Sequence, residues 1–347
     1  MKNTQPTIHD VARAAGVSYQ TVSRVLNDNP HVAPTTRAGI QAAIVALAYH
    51  PNRAARSLAT NQSRNLGLLA YGTGFYGPSQ MVANIERAAH DHGYSVIFSG
   101  LSRATRPDLE NGLQTLAEAG VAGIVLVAPF KEVNRGLLRE MAPLTPVVSV
   151  DSAAAGLNCT AIDQHLGGRL AAEHLIALGH REIAFILGPS GWFDARQRAA
   201  AWTETLREHG LGAAATERGD WTPASGYQAA RLLLAGGVTF TAILAANDQM
   251  ALGAMRALRE FGLDVPGDVS VTGFDDIPES EFLQPPLTTV RQDFAALARQ
   301  TLVYLLGLIE HPESVTTPAP IPPVLVPRLS TGPAREHVGG PIRWSTL

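Results

Sequence analysis

From residue 65 onward the chain alternates short apolar runs with amphipathic stretches, and this restricts the possible folds more than any other feature. The runs at 66–71, 95–98, 123–127, 147–150, 183–187, 242–245 and 269–272 have the length of strands. Helical stripes lie between them, at 80–92, 166–178, 195–209 and 249–261 among others. Strands separated by helices do not pair as hairpins; they pair in parallel, with the helices covering the sheet faces. Seven runs suffice for two doubly wound sheets, and segments near 159–162, 287–290 and 320–326 are placed to carry the chain between two lobes. All of these runs fall far short of the ~20 residues that a membrane span needs.

The first fifty residues follow a different period. Ile8, Val11, Ala12 and Ala15 form one helical stripe, with Thr7 as the expected cap. Gly16-Val17 makes a turn, and Ser18 caps a second helix over 19–26. In that helix Val22 and Val25 face inward, leaving Tyr19, Gln20, Ser23 and Arg24 outward. A third helix starts at Pro34 or Thr35 and runs to Leu47, buried through Ile40, Ile44 and Leu47. Two short helices joined by a tight turn present the second one end-on, as a reader of the DNA major groove requires. Residues 52–59 then form a short helix candidate without a wide apolar face. A helix so short is marginal in water and forms only when docked on a partner.

Charge is divided the same way. Residues 1–64 hold seven Lys/Arg and two Asp/Glu, a net of +5, while the rest hold 20 basic and 28 acidic groups, a net of −8. A basic head on an acidic body suits a head that meets phosphates while the body avoids them. The single cysteine, Cys159, allows no internal disulfide framework and no zinc site. Residues 1–6 contain no apolar core of a signal peptide, so a soluble, cytoplasmic protein without membrane contact is expected.

Enzymatic motifs are sparse. Gly72-Thr-Gly-Phe-Tyr-Gly77 matches the G-x-G-x-x-G pattern after a strand and before a helix. In the dinucleotide motif the helix begins within the glycines, facing the pyrophosphate. Here Pro78 suits a first helical turn, so the helix is expected only after Gly77. The next strand ends Phe98-Ser99-Gly100 without an acid for a ribose, although Ser102 and Arg103 could suit a 2′-phosphate. An NADP-dependent oxidoreductase is therefore the enzymatic alternative, and a ligand-lining loop is preferred. His90, His92, His165, His174 and His180 match no metal motif and are assigned surface or capping roles. Asp275 and Asp276 are adjacent at a strand end and point apart, so they make no catalytic pair. No enzyme, metal or cofactor is expected.

Ligands of open parallel sheets bind at the carboxyl ends of the strands. Asp151, Arg198, Asn247 and Asp275 all follow strands or open helices there, with Trp221 nearby. Aromatic faces beside side chains that make paired hydrogen bonds suit a hydroxyl-rich small molecule.

Several segments together resemble the LacI/GalR family of transcriptional repressors over roughly residues 5–330. They are residues 7–26, the run Tyr49-His-Pro-Asn-Arg-Ala-Ala-Arg-Ser-Leu-Ala59, Pro78-Ser79-Gln80, Gly219-Asp220-Trp221, residues 246–256, and Pro285-Pro-Leu-Thr-Thr289 with Gln292-Asp-Phe294. The resemblance implies a helix-turn-helix head (1–48), a hinge helix and linker (49–63), a two-lobed effector-binding and dimerisation body of periplasmic-binding-protein type (64–330), and a flexible tail (331–347). It implies that Tyr19, Gln20 and Arg24 read bases, with Ser18, Thr21, Ser23, Asn27 and His31 mainly on the backbone. Asn52 and Arg53 would also contact DNA, and Leu58 would wedge into the minor groove and kink it. Effector contacts would fall on Ser79, Asp151, Arg198, Trp221, Asn247, Gln249, Phe274, Asp275 and Gln292, with Phe294 lining the cleft.

The implied function is an operator-binding repressor under allosteric control of a sugar, with a β-galactoside inducer preferred and another sugar or a purine as alternatives. A sugar-binding transport component would share the body but not the head. After Arg328 the sequence has no leucine heptads, so a homodimer is expected rather than a tetramer.

Overall fold

A computed structural model describes residues 6–26, 29–49, 63–103, 105–128, 145–150 and 158–335. The chain divides into two compact units, Met1–Ser63 and Arg64–Leu347.

In the first unit, α1 (Ile8–Ala14) opens with a reciprocal capping box: the Thr7 side chain accepts from the Asp10 N–H, and Asp10 accepts from the Thr7 N–H at 2.9 Å. Gly16, at φ 66°, takes the left-handed conformation that the turn requires. Ser18 Oγ accepts from the Thr21 N–H at 3.2 Å at the start of α2 (Tyr19–Leu26). The third helix, α3, spans Pro34–Ala46. Val11, Val22, Val25 and Ile40 form the buried centre. Ile44 and Leu47, expected inside, are only half-buried; Ala43 and Tyr49 take their place. The cause is Ala48, which turns at φ 47° and lets the Tyr49 N–H bond back to the Ile44 carbonyl, swinging the phenol ring under the helices.

The second unit contains two parallel sheets. In the first lobe β1 (Asn65–Tyr71), α4 (Tyr76–Asp91), β2 (Ser95–Leu101), α5 (Arg106–Glu118), β3 (Gly123–Val127), β4 (Val147–Val150) and β5 (Cys159–Thr160) build a sheet of order β2-β1-β3-β4-β5. The chain then crosses into α6 (Gln164–Ala177), β6 (Ile183–Leu187), α7 (Phe193–Glu208), β7 (Ala213–Arg218), α8 (Pro223–Ala235), β8 (Ala242–Ala245), α9 (Asp248–Glu260) and β9 (Ser270–Thr272). This second sheet has the order β7-β6-β8-β9.

After β10 (Thr289–Arg291), α10 (Phe294–Glu310) returns to the first lobe, where Leu297, Leu302 and Leu305 join the core around Leu66, Leu68 and Val125. Next, β11 (Val324–Val326) pairs antiparallel with β10, and Ile162 bridges Ile321. The crossings thus lie in the three segments expected from sequence. Both sheets reverse strand order beside their first strand, so the loops after β1, β6 and β8 sit at the switch points where a crevice opens.

Three expectations are corrected. The helix after the glycine loop begins at Tyr76 rather than after Gly77, with Phe75 as its cap residue and Pro78 inside the first turn. His180 is buried instead of surface-exposed: its ring meets Thr241 Oγ1 at 2.9 Å, and Ser270 Oγ and the Gly332 carbonyl at 3.0 Å. That contact and the Ala334 N–H to Leu178 carbonyl bond hold 331–335, assigned to the tail, against the second lobe. No helix among the described residues is long and apolar enough to cross a membrane.

Candidate ligand cleft and DNA-reading helix

The outer face of α2 carries Tyr19, Gln20 and Arg24 among the head's candidate contacts. Tyr19 is half exposed and rests against the His9 ring at 5.4 Å. Gln20, Arg24 and His31 are exposed, while Thr21 and Ser23 are half-buried. The Ser18 and Thr21 hydroxyls are 2.9 Å apart, which fixes the entry to the helix. With Val22 and Val25 inward, the exposed Tyr19, Gln20 and Arg24 lie on the outward side of α2. Asn27, Asn52, Arg53 and Leu58 lie outside the described residues.

In the second unit a cleft of about 660 Å³, its open mouth included, lies between the two lobes. The first lobe contributes Tyr71, Phe75, Tyr76 and Gly77 from the β1–α4 connection, Val127 and Ala128 after β3, and Phe294 from α10. The second lobe contributes Trp192, Asp194 and Arg198 around the start of α7, with Trp221, Asn247, Asp275 and Gln292. The loop after β1 therefore lines a cleft, as preferred. It lacks the steric demands of a dinucleotide motif, because a Cβ at Gly74 would meet nothing within 4 Å and one at Gly77 only the Phe294 ring at 3.7 Å. Gly72 is required for another reason: at φ 71°, its Cβ position is 3.0 Å from the Trp192 ring.

Aromatic rings from both lobes line the cleft. Trp192 meets Phe75 edge-on at 5.6 Å and Trp221 at 5.7 Å, and Tyr76 packs on Phe294 at 5.9 Å. Such edge-to-face pairs are favourable and rigid. Trp221 is held at φ 78°, a strained conformation for a bulky residue. Asn247, the cap of α9, holds it there: Oδ1 accepts from the Met250 N–H while Nδ2 donates to the Trp221 carbonyl at 3.1 Å. Behind Trp221 lies Gly188, where any Cβ would overlap the indole ring.

The polar floor is a connected network. Arg198, only 3% exposed, donates from Nε to Gln164 Oε1 at 2.9 Å and from Nη1 to the Ala246 carbonyl. Gln164 Nε2 donates to Gln292 Oε1 at 2.7 Å, and Gln292 Nε2 donates to Asp275 Oδ1 at 2.6 Å. Asp275 closes the loop 3.7 Å from Arg198 Nη2. The guanidinium lies 3.7 Å over the Phe274 ring, so charge, plane and position are fixed without a ligand.

Burial lifts the Asp275 carboxyl to about 6; Arg198 and the Gln292 hydrogen bond pull it down, and Asp194 pushes it up. Burial likewise lifts Asp194 to about 6 against the pull of Arg198 and Arg196. Deeper still, burial and then Asp275 raise Asp248 to about 7, opposed by its bonds from Thr289, the Ile277 N–H and Ser280. Burial pushes the Tyr76 phenol up to about 12, keeping it a hydrogen-bond donor. Asp276 points away from the cleft and pairs with Arg291 and Arg328, each at 2.6 Å, so the two adjacent aspartates do diverge.

Six of the ten sequence candidates therefore line one cleft: Arg198, Trp221, Asn247, Asp275, Gln292 and Phe294. Phe274 is fully buried beneath Arg198 and positions it rather than lining the space. Ser79 turns back to donate to the Tyr76 carbonyl at 2.7 Å, and Gln249 sits half-buried in the first turn of α9; neither is in the lining. Asp151 lies outside the described residues. Sequence reasoning did not single out Tyr71, Phe75, Tyr76, Trp192 or Asp194 as ligand contacts, nor Gln164 as the link beneath Arg198.

Residues 7–52 match the bacterial regulatory proteins, lacI family, and residues 172–331 match a periplasmic binding protein-like domain. The lactose operon repressor of Escherichia coli K12 is 39% identical over 326 residues, covering 94% of this chain and 90% of that protein. The transcriptional repressor PurR of Mannheimia succiniciproducens is 34% identical, covering 93% and 98%. Among solved structures, the Lac repressor dimer bound to operator and the anti-inducer ONPF superposes with a TM-score of 0.89 at 38% identity, covering 95% of this chain and all of that one. With that breadth of coverage and a helix-turn-helix head joined to a two-lobed body, the chain belongs to the LacI family of bacterial regulatory proteins.

Proposed function

We propose that this chain is a homodimeric repressor of transcription that binds operator DNA through its head and releases it when a sugar enters the cleft. The carrying observation is the pre-formed network Arg198–Gln164–Gln292–Asp275 beside an aromatic wall. Fixed donors and acceptors next to flat apolar faces suit a molecule with hydroxyls on its edge and C–H groups on its faces. A β-galactoside is the proposed effector, supported by the likeness to the lactose operon repressor. No catalytic step is assigned to the site.

In this reading the head, hinge and body divide at 1–48, 49–63 and 64–330, and the protein works in the cytoplasm. Two heads would engage a pseudopalindromic operator with half-sites about 34 Å apart. Gln20 suits adenine and Arg24 suits guanine, each through two hydrogen bonds to one base edge. Sugar binding would reorient the lobes and so lower the affinity of the heads for the operator. Ser79, Gln249 and Asp151 stay candidate contacts in the liganded state, since lobe movement changes which side chains reach the space.

Titration calorimetry of the full chain with galactosides, glucosides and purines tests the effector. Binding of galactosides in preference to the other two classes is expected. Tight binding of a purine with none of any galactoside would overturn the assignment.

A further inference from the structure

Among the described residues, the α-helices of the body begin in two ways. Five are capped by a side chain: Thr105, Asp163, Thr222, Asn247 and Asp293 each accept from an N–H of the first turn. The other two, α4 and α7, have Phe75 and Trp192 at the cap position, with no capping bond from the side chain. An aromatic hydrocarbon edge offers no acceptor, so these two helix starts forgo the stabilisation that the others have.

The two positions correspond. Phe75 follows the first strand of the first lobe, β1, and Trp192 follows the first strand of the second, β6. Each donates its N–H three residues back, Phe75 to the Gly72 carbonyl at 2.8 Å and Trp192 to the Pro189 carbonyl at 3.0 Å. Each carbonyl accepts from the N–H four residues on, Ser79 at 3.1 Å and Arg196 at 3.3 Å. With both backbones so fixed, the two rings meet across the seam between the lobes at 5.6 Å and 83°. Trp192 also meets Tyr71 of the first lobe at 6.1 Å, and its indole lies 3.0 Å from where a Cβ on Gly72 would stand.

We propose that Trp192 and Phe75 form a latch between the lobes, and that the lobe arrangement it holds is the one that binds operator. The proposal rests on the sugar-responsive reading above and deepens it by naming what the sugar must work against.

An edge-to-face pair occupies a face of one of its two rings. Trp192 makes two such pairs, with Phe75 and with Trp221, so faces on which a sugar would stack are already covered by rings. A sugar taking either face displaces a ring contact, and sugar and latch therefore compete. A ligand shifts an equilibrium only by its different affinity for the two states, and the coupling between two sites is reciprocal. Weakening the latch must then favour the sugar at the expense of the operator.

The test uses the full chain bound to an operator selected from random DNA and titrated with methyl β-galactoside. The quantity read is the galactoside concentration that releases half of the operator, for the parent, Phe75→Leu, Trp192→Leu and the double variant. Each single substitution should lower it by about 2- to 10-fold, the scale of one aromatic pair. The double variant should lower it no further than the larger single effect, because one contact is lost only once. Trp192→Phe, which keeps a ring at the seam, should fall between the parent and Trp192→Leu. Thermal midpoints confirm that each variant is folded at the assay temperature; should Trp192→Leu not fold, Phe75→Leu and Trp192→Phe carry the test. A half-release concentration that rises in the single variants, stays unchanged, or changes by the product of the two factors in the double variant overturns the latch and leaves the sugar-responsive reading standing. If the galactoside releases no operator from the parent chain, that reading fails and the latch with it.

Discussion

Replacing Arg198 by leucine isolates the energetic centre of the cleft. The guanidinium donates to Gln164 and the Ala246 carbonyl, faces Asp275 at 3.7 Å and covers the Phe274 ring. Hydrogen bonds to a charged group contribute about 1.5–3 kcal/mol each, and a desolvated cation–π contact about 2. These do not add, because they share one side chain. Breaking a buried pair by removing one partner typically costs about 3–5 kcal/mol, and that is the loss expected here at pH 8.

The pH dependence is more diagnostic. In the parent chain the folded Asp275 carboxyl titrates at about 6, above its ordinary 3.8. Its contribution to stability is therefore complete below about 3.8 and is withdrawn as pH rises through 6. Arg198 pulls the carboxyls of Asp275 and Asp194 down. Without it both folded values rise further, so the withdrawal continues to higher pH. The stability gap between parent and Arg198→Leu should thus be smallest near pH 5 and widen steadily above 6. Urea unfolding followed by tryptophan fluorescence and far-ultraviolet dichroism at pH 5, 6, 7 and 8 measures it, with coincident transitions as the check on two-state behaviour. An equal gap at pH 5 and 8, or one that narrows with pH, would refute the electrostatic account of the network.

Two further outcomes separate the units. Gly188→Ala should displace the Trp221 ring, which a Cβ at 188 overlaps, and weaken sugar binding at least tenfold while operator affinity without sugar stays unchanged; calorimetry and DNA titration read the two separately, and unaltered sugar affinity would remove Trp221 from the wall. Gln20→Ala should relax base preference at one position of each half-site, by about 1–3 kcal/mol, without abolishing non-specific binding; sequencing of DNA selected from a random pool by each protein checks this, and an unchanged preference would take Gln20 out of the reading set.

What the sequence made legible follows from local physics. Thr7, Gly16 and Ser18 mark the helix ends and turn of the head because capping and left-handed φ are properties of single residues and near neighbours. Most strands are visible because they are apolar and buried, with β3, β4 and β8 buried along their whole length, while β2 is visible from its apolar run alone, having no buried position. The edge strand β7, Ala-Ala-Ala-Thr-Glu-Arg, has only exposed and half-buried positions and lacks Val or Ile, so no apolar run marks it.

The strand-end rule found Arg198, Asn247 and Asp275, since a parallel sheet places strand carboxyl ends together whatever the loops do. It could not find Gln164, whose role comes from meeting Gln292, 128 residues away. Trp192 and Asp194 were missed as contacts because their part in the wall depends on the turn angle before α7 and on Phe75 arriving from the other lobe. Phe274 was read one layer too far forward, because sequence marks a residue as near a strand end without telling lining from support. A similar limit applied at Tyr49, where the turn at Ala48 decides what enters the core.

The central claim is that occupancy of the cleft controls the DNA affinity of the head. Its most direct test is the dissociation constant of the purified full chain for an operator selected from random DNA, measured by fluorescence anisotropy at fixed salt with and without a saturating bound sugar. The account predicts a loss of operator affinity of about 10-fold or more on adding the sugar, within the range of allosteric couplings, and no loss for Arg198→Leu because its cleft no longer responds. Operator affinity that is the same with the sugar bound and absent would contradict it.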